Sequence, residues 1–169
     1  SLGNDLFEKV YDAAKEFNGR VIAPNTIRTI EGGILSYGSD FDRSHNPFTI
    51  GFDRLVDLDQ KSDFIGKDAL RKIQERGLTE KLVGIELEGD PIMKAPENFW
   101  TVKSYNLKVG RVSRAFFSPR LEKNIALAIV DIDNAEEGTS VVVETPNGDL
   151  NSMVVSLPWF NADKDTHLD

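Results

Sequence analysis

From Leu6 to Phe17 the apolar positions Leu6, Val10, Ala13, Ala14 and Phe17 recur at helical spacing and predict an amphipathic helix. Asn4 or Asp5 caps its start, and the Asn18-Gly19 pair, tolerant of left-handed backbone, stops it. A short apolar stretch, Val21 to Ala23, leads to Pro24-Asn25. A second helical pattern follows, with Ile27, Ile30, Ile34 and Leu35 on one side and Gly32-Gly33 inside it. Each glycine costs about 1 kcal/mol against alanine within a helix, so a close backbone approach is expected there. Residues 36–47 (SYGSDFDRSHNP) read as a loop, and Phe48 to Leu58 as a strand or extended segment around Gly51. A third helix has Ile65, Ala69, Leu70 and Ile73 as its face, Lys67 to Arg76 as its body and Gly77 as its stop.

After Gly77 the period changes to two. Val83, Ile85 and Leu87 alternate along Lys81–Glu88. Further runs lie at about Asn98–Tyr105, Lys108–Phe117, Ile125–Asp131, Ser140–Thr145 and Asp149–Leu157, with turn residues between them. Pro146-Asn147-Gly148 between alternating flanks is a strong hairpin signal. Short strands at this spacing predict a small barrel or sandwich behind an α-rich front, with the boundary near Thr79.

The chain has 169 residues, 40% of them hydrophobic, and a net charge of −8. That size supports one domain or two small ones with a real core. No apolar stretch approaches the roughly 20 residues that span a bilayer. The negative balance repels phosphate backbones and anionic lipid, which disfavours nucleic acid and membrane partners. Cysteine is absent, so disulfides, thiolate metal sites and thiol nucleophiles are excluded. A cytoplasmic location is expected on the same ground. The start, without Met and almost at once amphipathic, predicts a piece of a longer polypeptide.

Chemistry-bearing residues are few. Asp40, Asp42 and His45 share the loop and form a conceivable carboxylate–imidazole site, although loop acids ordinarily cap turns. His167 lies in the polar tail. Ser113 and Ser118 have no general-base histidine near them in sequence, and neither a Gly-x-Ser-x-Gly elbow nor a phosphate-cradling glycine loop is present. Glu31, beside the two glycines, is either an exposed helix acid or an acceptor for a ligand's amino groups. Tyr37 is either core packing or an amphipathic ring offered to a flat ligand. Arg111 and Arg114, at odd spacing, fall on opposite faces of a regular strand, so at most one of them enters a cleft.

These residues also carry a resemblance. Ile30-Glu31-Gly32-Gly33-Ile34-Leu35-Ser36-Tyr37-Gly38-Ser39-Asp40 is similar to the "RLEAG…YG.D" segment of the glycine-cleavage T-protein (aminomethyltransferase) family. Asp63-Phe64-Ile65-Gly66-Lys67-Asp68-Ala69-Leu70 resembles its "DFIG+EAL", and Lys81-Leu82-Val83-Gly84-Ile85-Glu86-Leu87 its "RKLVGLEL". Val109-Gly110, Phe117-Ser118-Pro119, Ile125-Ala126-Leu127-Ala128 and Leu157-Pro158-Trp159-Phe160 continue the match in order. The spelling of Leu35-Ser36-Tyr37-Gly38 with Asn46-Pro47-Phe48 is nearest the dimethylsulfoniopropionate demethylase branch.

The resemblance implies an α+β chain: a helical front segment with a short sheet remnant, then a small antiparallel six-stranded β-barrel. Residues 1–79 would be the C-terminal part of the family's central folate-binding region, 80–160 the barrel and 161–169 a tail. It implies tetrahydrofolate as cofactor and a small-molecule one-carbon donor, either amino- or sulfonium-bound. The catalytic aspartate would sit in a missing N-terminal half of the same enzyme, leaving no catalytic residue here and the chain inactive alone. Glu31, Tyr37, Arg28 and Arg114 are the expected folate-side residues, the arginines for the carboxylate tail. The family's arginine falls on Thr29, with Arg28 one position earlier and about 100° around the helix. The alternative is a non-catalytic folate-binding or assembly module of the same fold. Leu6, Val10, Ala13 and Phe17 need cover, which predicts self-association.

Overall fold

Val83, Ile85 and Leu87 turn inward from β1 (Glu80–Leu87), and their alternation is answered by strands that close the sheet on itself. The other strands are β2 (Trp100–Ser104), β3 (Leu107–Ser118), β4 (Lys123–Asp131), β5 (Ser140–Thr145) and β6 (Gly148–Val155). They form a closed barrel in the order β1-β4-β3-β2-β5-β6. Every pairing is antiparallel, including β1 with β6. Val102, Val112, Ala115, Ala128, Val143 and Val154 join the β1 residues in the interior. The computed structural model describes residues 2–21 and 25–159. Residues 22–24 of the apolar stretch, Phe160, His167 and the tail at 161–169 lie outside the described residues. No helix among the described residues is long and apolar enough to cross a membrane.

Turn chemistry sets the hairpins. Tyr105 and Asn106 both take positive φ, 48° and 64°, and Ser104 faces Leu107 across them. Left-handed backbone at both central positions matches the twist of the flanking strands. At the β5–β6 hairpin Thr145 pairs with Gly148, so Pro146-Asn147 forms the turn and the Asn-Gly signal lies one residue off centre.

The front differs from its sequence reading in four places. First, α1 (Leu2–Lys15) begins before Asn4 and Asp5, which therefore occupy its first turn instead of capping it. Second, α2 (Thr26–Glu31) is capped by Asn25, whose Oδ1 accepts from the Ile27 and Arg28 amides at 2.9 and 3.3 Å. It stops at Gly32, and Gly33 at φ +61° leads the chain away, so the glycines end the helix and Ile34 is exposed.

Third, 48–58 is not extended. Asn46 folds it into turns by accepting from the Phe48 and Thr49 amides at 3.0 and 3.1 Å, and a short 3-10 turn spans Asp53–Leu55. Phe48 and Ile50 are buried, and the Leu82 amide donates to Thr49 O at 2.7 Å. Fourth, α3 (Lys67–Arg76) ends at Gly77 as expected, yet Ile65 is fully exposed and belongs to no buried face. The expected sheet remnant amounts to one bridge, Tyr37 with Phe41, among the described residues of the front.

The front covers one outer face of the barrel. Ile30 of α2 packs on Ile125 and Leu127 of β4, with Phe116, Leu157 and Trp159 around them. That cover explains why β4 is buried on both sides from Asn124 to Val130.

Candidate functional site

A bulge in β3 builds the outer face. The register with β4 runs Arg111↔Ile129 and Val112↔Ala128, then slips to Arg114↔Leu127. Ser113 is the extra residue, so the side chains after it are reset by one position. Arg111 and Arg114 therefore lie opposite Ile129 and Leu127, alternate residues of β4 that share its outer side. The expectation that they occupy opposite faces is corrected. A regular pleat was assumed, and the bulge breaks it.

Arg114 is the hub of this face. Its Nε donates to Asp40 Oδ1 at 2.9 Å and its Nη2 to Asp40 Oδ2 at 2.6 Å, a bidentate ion pair. Nη1 donates to Thr29 Oγ1 at 2.9 Å, and Nη2 also reaches Ile34 O at 2.6 Å. The Asp40 carboxylate, fully buried, accepts further from Ser113 Oγ at 2.7 Å and from the Ser36 amide at 2.7 Å. Strand β3, helix α2 and the 34–41 loop are thus tied through one guanidinium and one carboxylate. Thr29, where the family arginine would fall, faces this network. Arg28, a fraction of a turn away, is exposed to solvent.

Glu31 and Tyr37 sit in opposite environments. Glu31 is buried, and its Oε1 accepts from Ser118 Oγ at 2.5 Å, where β3 ends. Its backbone carbonyl accepts from the Trp159 amide at 2.9 Å, closing the chain's C-terminal stretch over α2. Tyr37 is 64% exposed. Its ring meets Phe41 edge-on at 5.6 Å between centroids, and Phe41 meets Phe52 at 6.4 Å. The result is a surface ladder of aromatic rings beside the buried clamp.

Asp40, Asp42 and His45 do not converge. Asp40 is committed to Arg114, whereas Asp42 Oδ1 accepts from Ser44 Oγ at 2.5 Å and from the Ser44 amide at 2.8 Å. These bonds, aided by His45, hold the Asp42 carboxyl below the usual carboxylate range. His45 Nε2 lies 3.3 Å from Arg111 Nη2. A guanidinium only donates, so Nε2 is the acceptor there, while Nδ1 lies 3.0 Å from Asp42 Oδ1 and 3.2 Å from the Asp42 amide nitrogen. Arg111 also lies over the Phe99 ring at 4.8 Å. Among the described residues no group of three or more acidic or histidine side chains is placed to hold a metal ion.

Of the residues singled out from sequence, Glu31 and Arg114 both lie between α2 and β3, Glu31 bonded to Ser118 and Arg114 to Thr29, with Tyr37 on the loop that Arg114 helps to hold. Arg28 stands apart on the exposed side of α2. Sequence reasoning passed over Asp40 and Thr29 as partners of Arg114, Ser113 as a second donor to Asp40, and Ser118 as the partner of Glu31. One signal was available. Val112 and Ala115 are separated by adjacent polar residues, Ser113 and Arg114, which a regular strand with one apolar face does not accommodate.

Comparison with known proteins gives a consistent picture. Residues 80–161 match the glycine cleavage T-protein C-terminal barrel domain. An aminomethyltransferase of Thermoanaerobacter sp. is 36% identical over 159 residues, 92% of this chain and 42% of that protein. The dimethylsulfoniopropionate demethylase DmdA of Ruegeria pomeroyi is 31% identical over 147 residues, 87% of this chain and 39% of that protein. The crystal structure of glycine cleavage system aminomethyltransferase T from Bartonella henselae superimposes with a TM-score of 0.68 at 22% identity. It covers 78% of this chain and 36% of the other, and this likeness shows the fold. The chain spans about two fifths of the length of the curated relatives that it matches.

Proposed function

Because this chain belongs to the glycine-cleavage T-protein (aminomethyltransferase) family, within its C-terminal barrel region, we propose that it forms the folate-facing C-terminal part of a tetrahydrofolate-dependent aminomethyl- or methyltransferase. The observation that carries the reading is the surface ladder Tyr37–Phe41–Phe52, with Tyr37 and Phe52 exposed and Phe41 half-buried, beside the Asp40–Arg114 pair that ties the 34–41 loop to the barrel. Exposed aromatic rings held by a rigid support suit a flat heteroaromatic ligand.

The residues present fit that ligand class. Tyr37 offers a ring and a hydroxyl. Arg28, exposed on α2, offers a guanidinium to a carboxylate tail. Ser118 takes one acceptor position of the Glu31 carboxylate, which leaves capacity for an amino edge at the junction of α2 and β3. Arg114 has its donors engaged by Asp40, Thr29 and Ile34, so in this reading it acts through the loop instead of reaching the tail itself. When bound, tetrahydrofolate supplies the nitrogen that takes up the one-carbon unit from an amino- or sulfonium-bound donor. The part of this chain is to hold and orient, a contribution of proximity. No catalytic acid or base is proposed among its residues.

Calorimetric titration of the protein with tetrahydrofolate tests the reading. Saturable binding is expected, weakened about three- to tenfold by Tyr37→Ala, in line with the ~0.5–1.5 kcal/mol of an aromatic contact. Arg28→Ala should weaken binding further as glutamate is added to the folate tail. Absence of binding, or affinity indifferent to Tyr37, rejects it.

A further inference from the structure

The loop that carries Tyr37 is flanked by two apolar anchors, Leu35 packed against the Ile30–Ile125–Leu127 cluster and the half-buried Phe41. Ser36, Tyr37, Gly38 and Ser39 are all exposed, and Asp40 is the buried residue of the stretch between Leu35 and Phe41. Between those anchors the exposed residues keep their place through polar bonds. Beside the backbone bond from the Gly38 amide to Phe41 O at 2.8 Å, the side-chain bonds gather on one carboxylate. Asp40 Oδ2 accepts from the Ser36 amide at 2.7 Å, and the Asp40 amide donates back to Ser36 O at 2.9 Å. The same carboxylate takes Ser113 Oγ and two nitrogens of Arg114 from β3. Tyr37 follows directly on the residue so pinned.

We propose that Asp40 is a positioning residue for the ligand face: its buried carboxylate, bonded at once to the loop backbone and to Arg114 and Ser113 of β3, sets where the Tyr37 ring stands. The inference rests on the reading of Tyr37 as folate-facing. It extends that reading to a residue that touches no ligand. Val112 and Ala115 hold the barrel interior on either side of the bulge, independently of Asp40. Loosening the loop therefore leaves the barrel closed.

A double-mutant cycle on the protein decides it, with tetrahydrofolate affinity and amide hydrogen exchange as readouts. Asp40→Asn keeps the shape of the side chain but turns a donor toward Ser113 or Arg114. It should speed exchange at Ser36 and Gly38, whose amides are bonded within the loop, while Val102 and Val143 stay protected, and lower affinity about as much as Tyr37→Ala. Because both changes act through one ring, Asp40→Asn with Tyr37→Ala should bind no worse than the weaker single variant. If Asp40→Asn does not fold, Arg114→Lys takes its place in the same cycle, since a lysine keeps the charge but not the bidentate pair. Additive losses, or unchanged affinity with a loosened loop, overturn the positioning role. So does unchanged exchange at Ser36 and Gly38. Unchanged affinity in Tyr37→Ala overturns the folate reading and this inference with it, whereas affinity lost there but kept in Asp40→Asn overturns the positioning role alone.

Discussion

Asp42 and Asp40 stand two residues apart and are stabilised by different means. Asp42 is exposed and held charged chiefly by Ser44, through its hydroxyl and then its amide, with His45 adding to both. A carboxyl whose folded value lies below its unfolded one contributes stability above the unfolded value, near 4, and loses it as pH falls through the folded value. The Ser44 amide resonance should therefore titrate below the ordinary carboxylate range. Asp42→Asn should abolish that titration without changing the fold, which a proton–nitrogen NMR titration reads directly. Asp40 is buried with Arg114, so removing one partner strands the other. Arg114→Ala should cost about 3–5 kcal/mol by the usual measure of a broken buried pair, read by denaturant unfolding. Neither role was legible from residue type. In the sequence both were loop acids near a histidine, whereas the fold turns Asp40 to Arg114 and leaves Asp42 with Ser44.

At the scale of elements, alternation proved readable and its interruptions did not. The strands were placed within a residue or two because Val83, Ile85 and Leu87, or Val141 and Val143, mark a face that a period of two exposes. Phe48 and Ile50 carry the same spacing and are buried, yet Asn46 bends that stretch into turns. A local side-chain bond outweighed the hydrophobic pattern. Likewise the stripe of α2 seemed to continue through Ile34, but Gly33 in the left-handed region ends it. Gly110 shows a constraint of another kind, since a Cβ there would lie 2.4 Å from Ile129 O and 2.8 Å from Val130 Cα. Both neighbours are backbone of β4 and cannot step aside. Gly110→Ala should therefore destabilise the barrel by about 1–3 kcal/mol or more, measured as a lower denaturation midpoint at unchanged slope.

At the scale of the molecule, a barrel with one clad face is joined to a helix that has no buried residue among the described residues. Nothing on α1 is buried, and Leu6 and Val10 remain 63% and 60% exposed. An isolated helix of this length is marginal in water, because its nucleation cost is repaid mainly by burying an apolar face. Exchange at α1 amides should therefore be fast under conditions where β1, β3 and β4 stay protected. Leu6→Glu with Val10→Glu should leave the barrel's unfolding midpoint unchanged. The same variant tests the expected self-association, for which a second copy is the simplest cover for an apolar stripe. Sedimentation should show mass rising with concentration in the parent and a monomer in the variant. Equal behaviour of the two would place the association elsewhere, and a parent that stays monomeric would remove it. Either result leaves the barrel and its clad face as they are, because α1 shares no hydrophobic cluster with them.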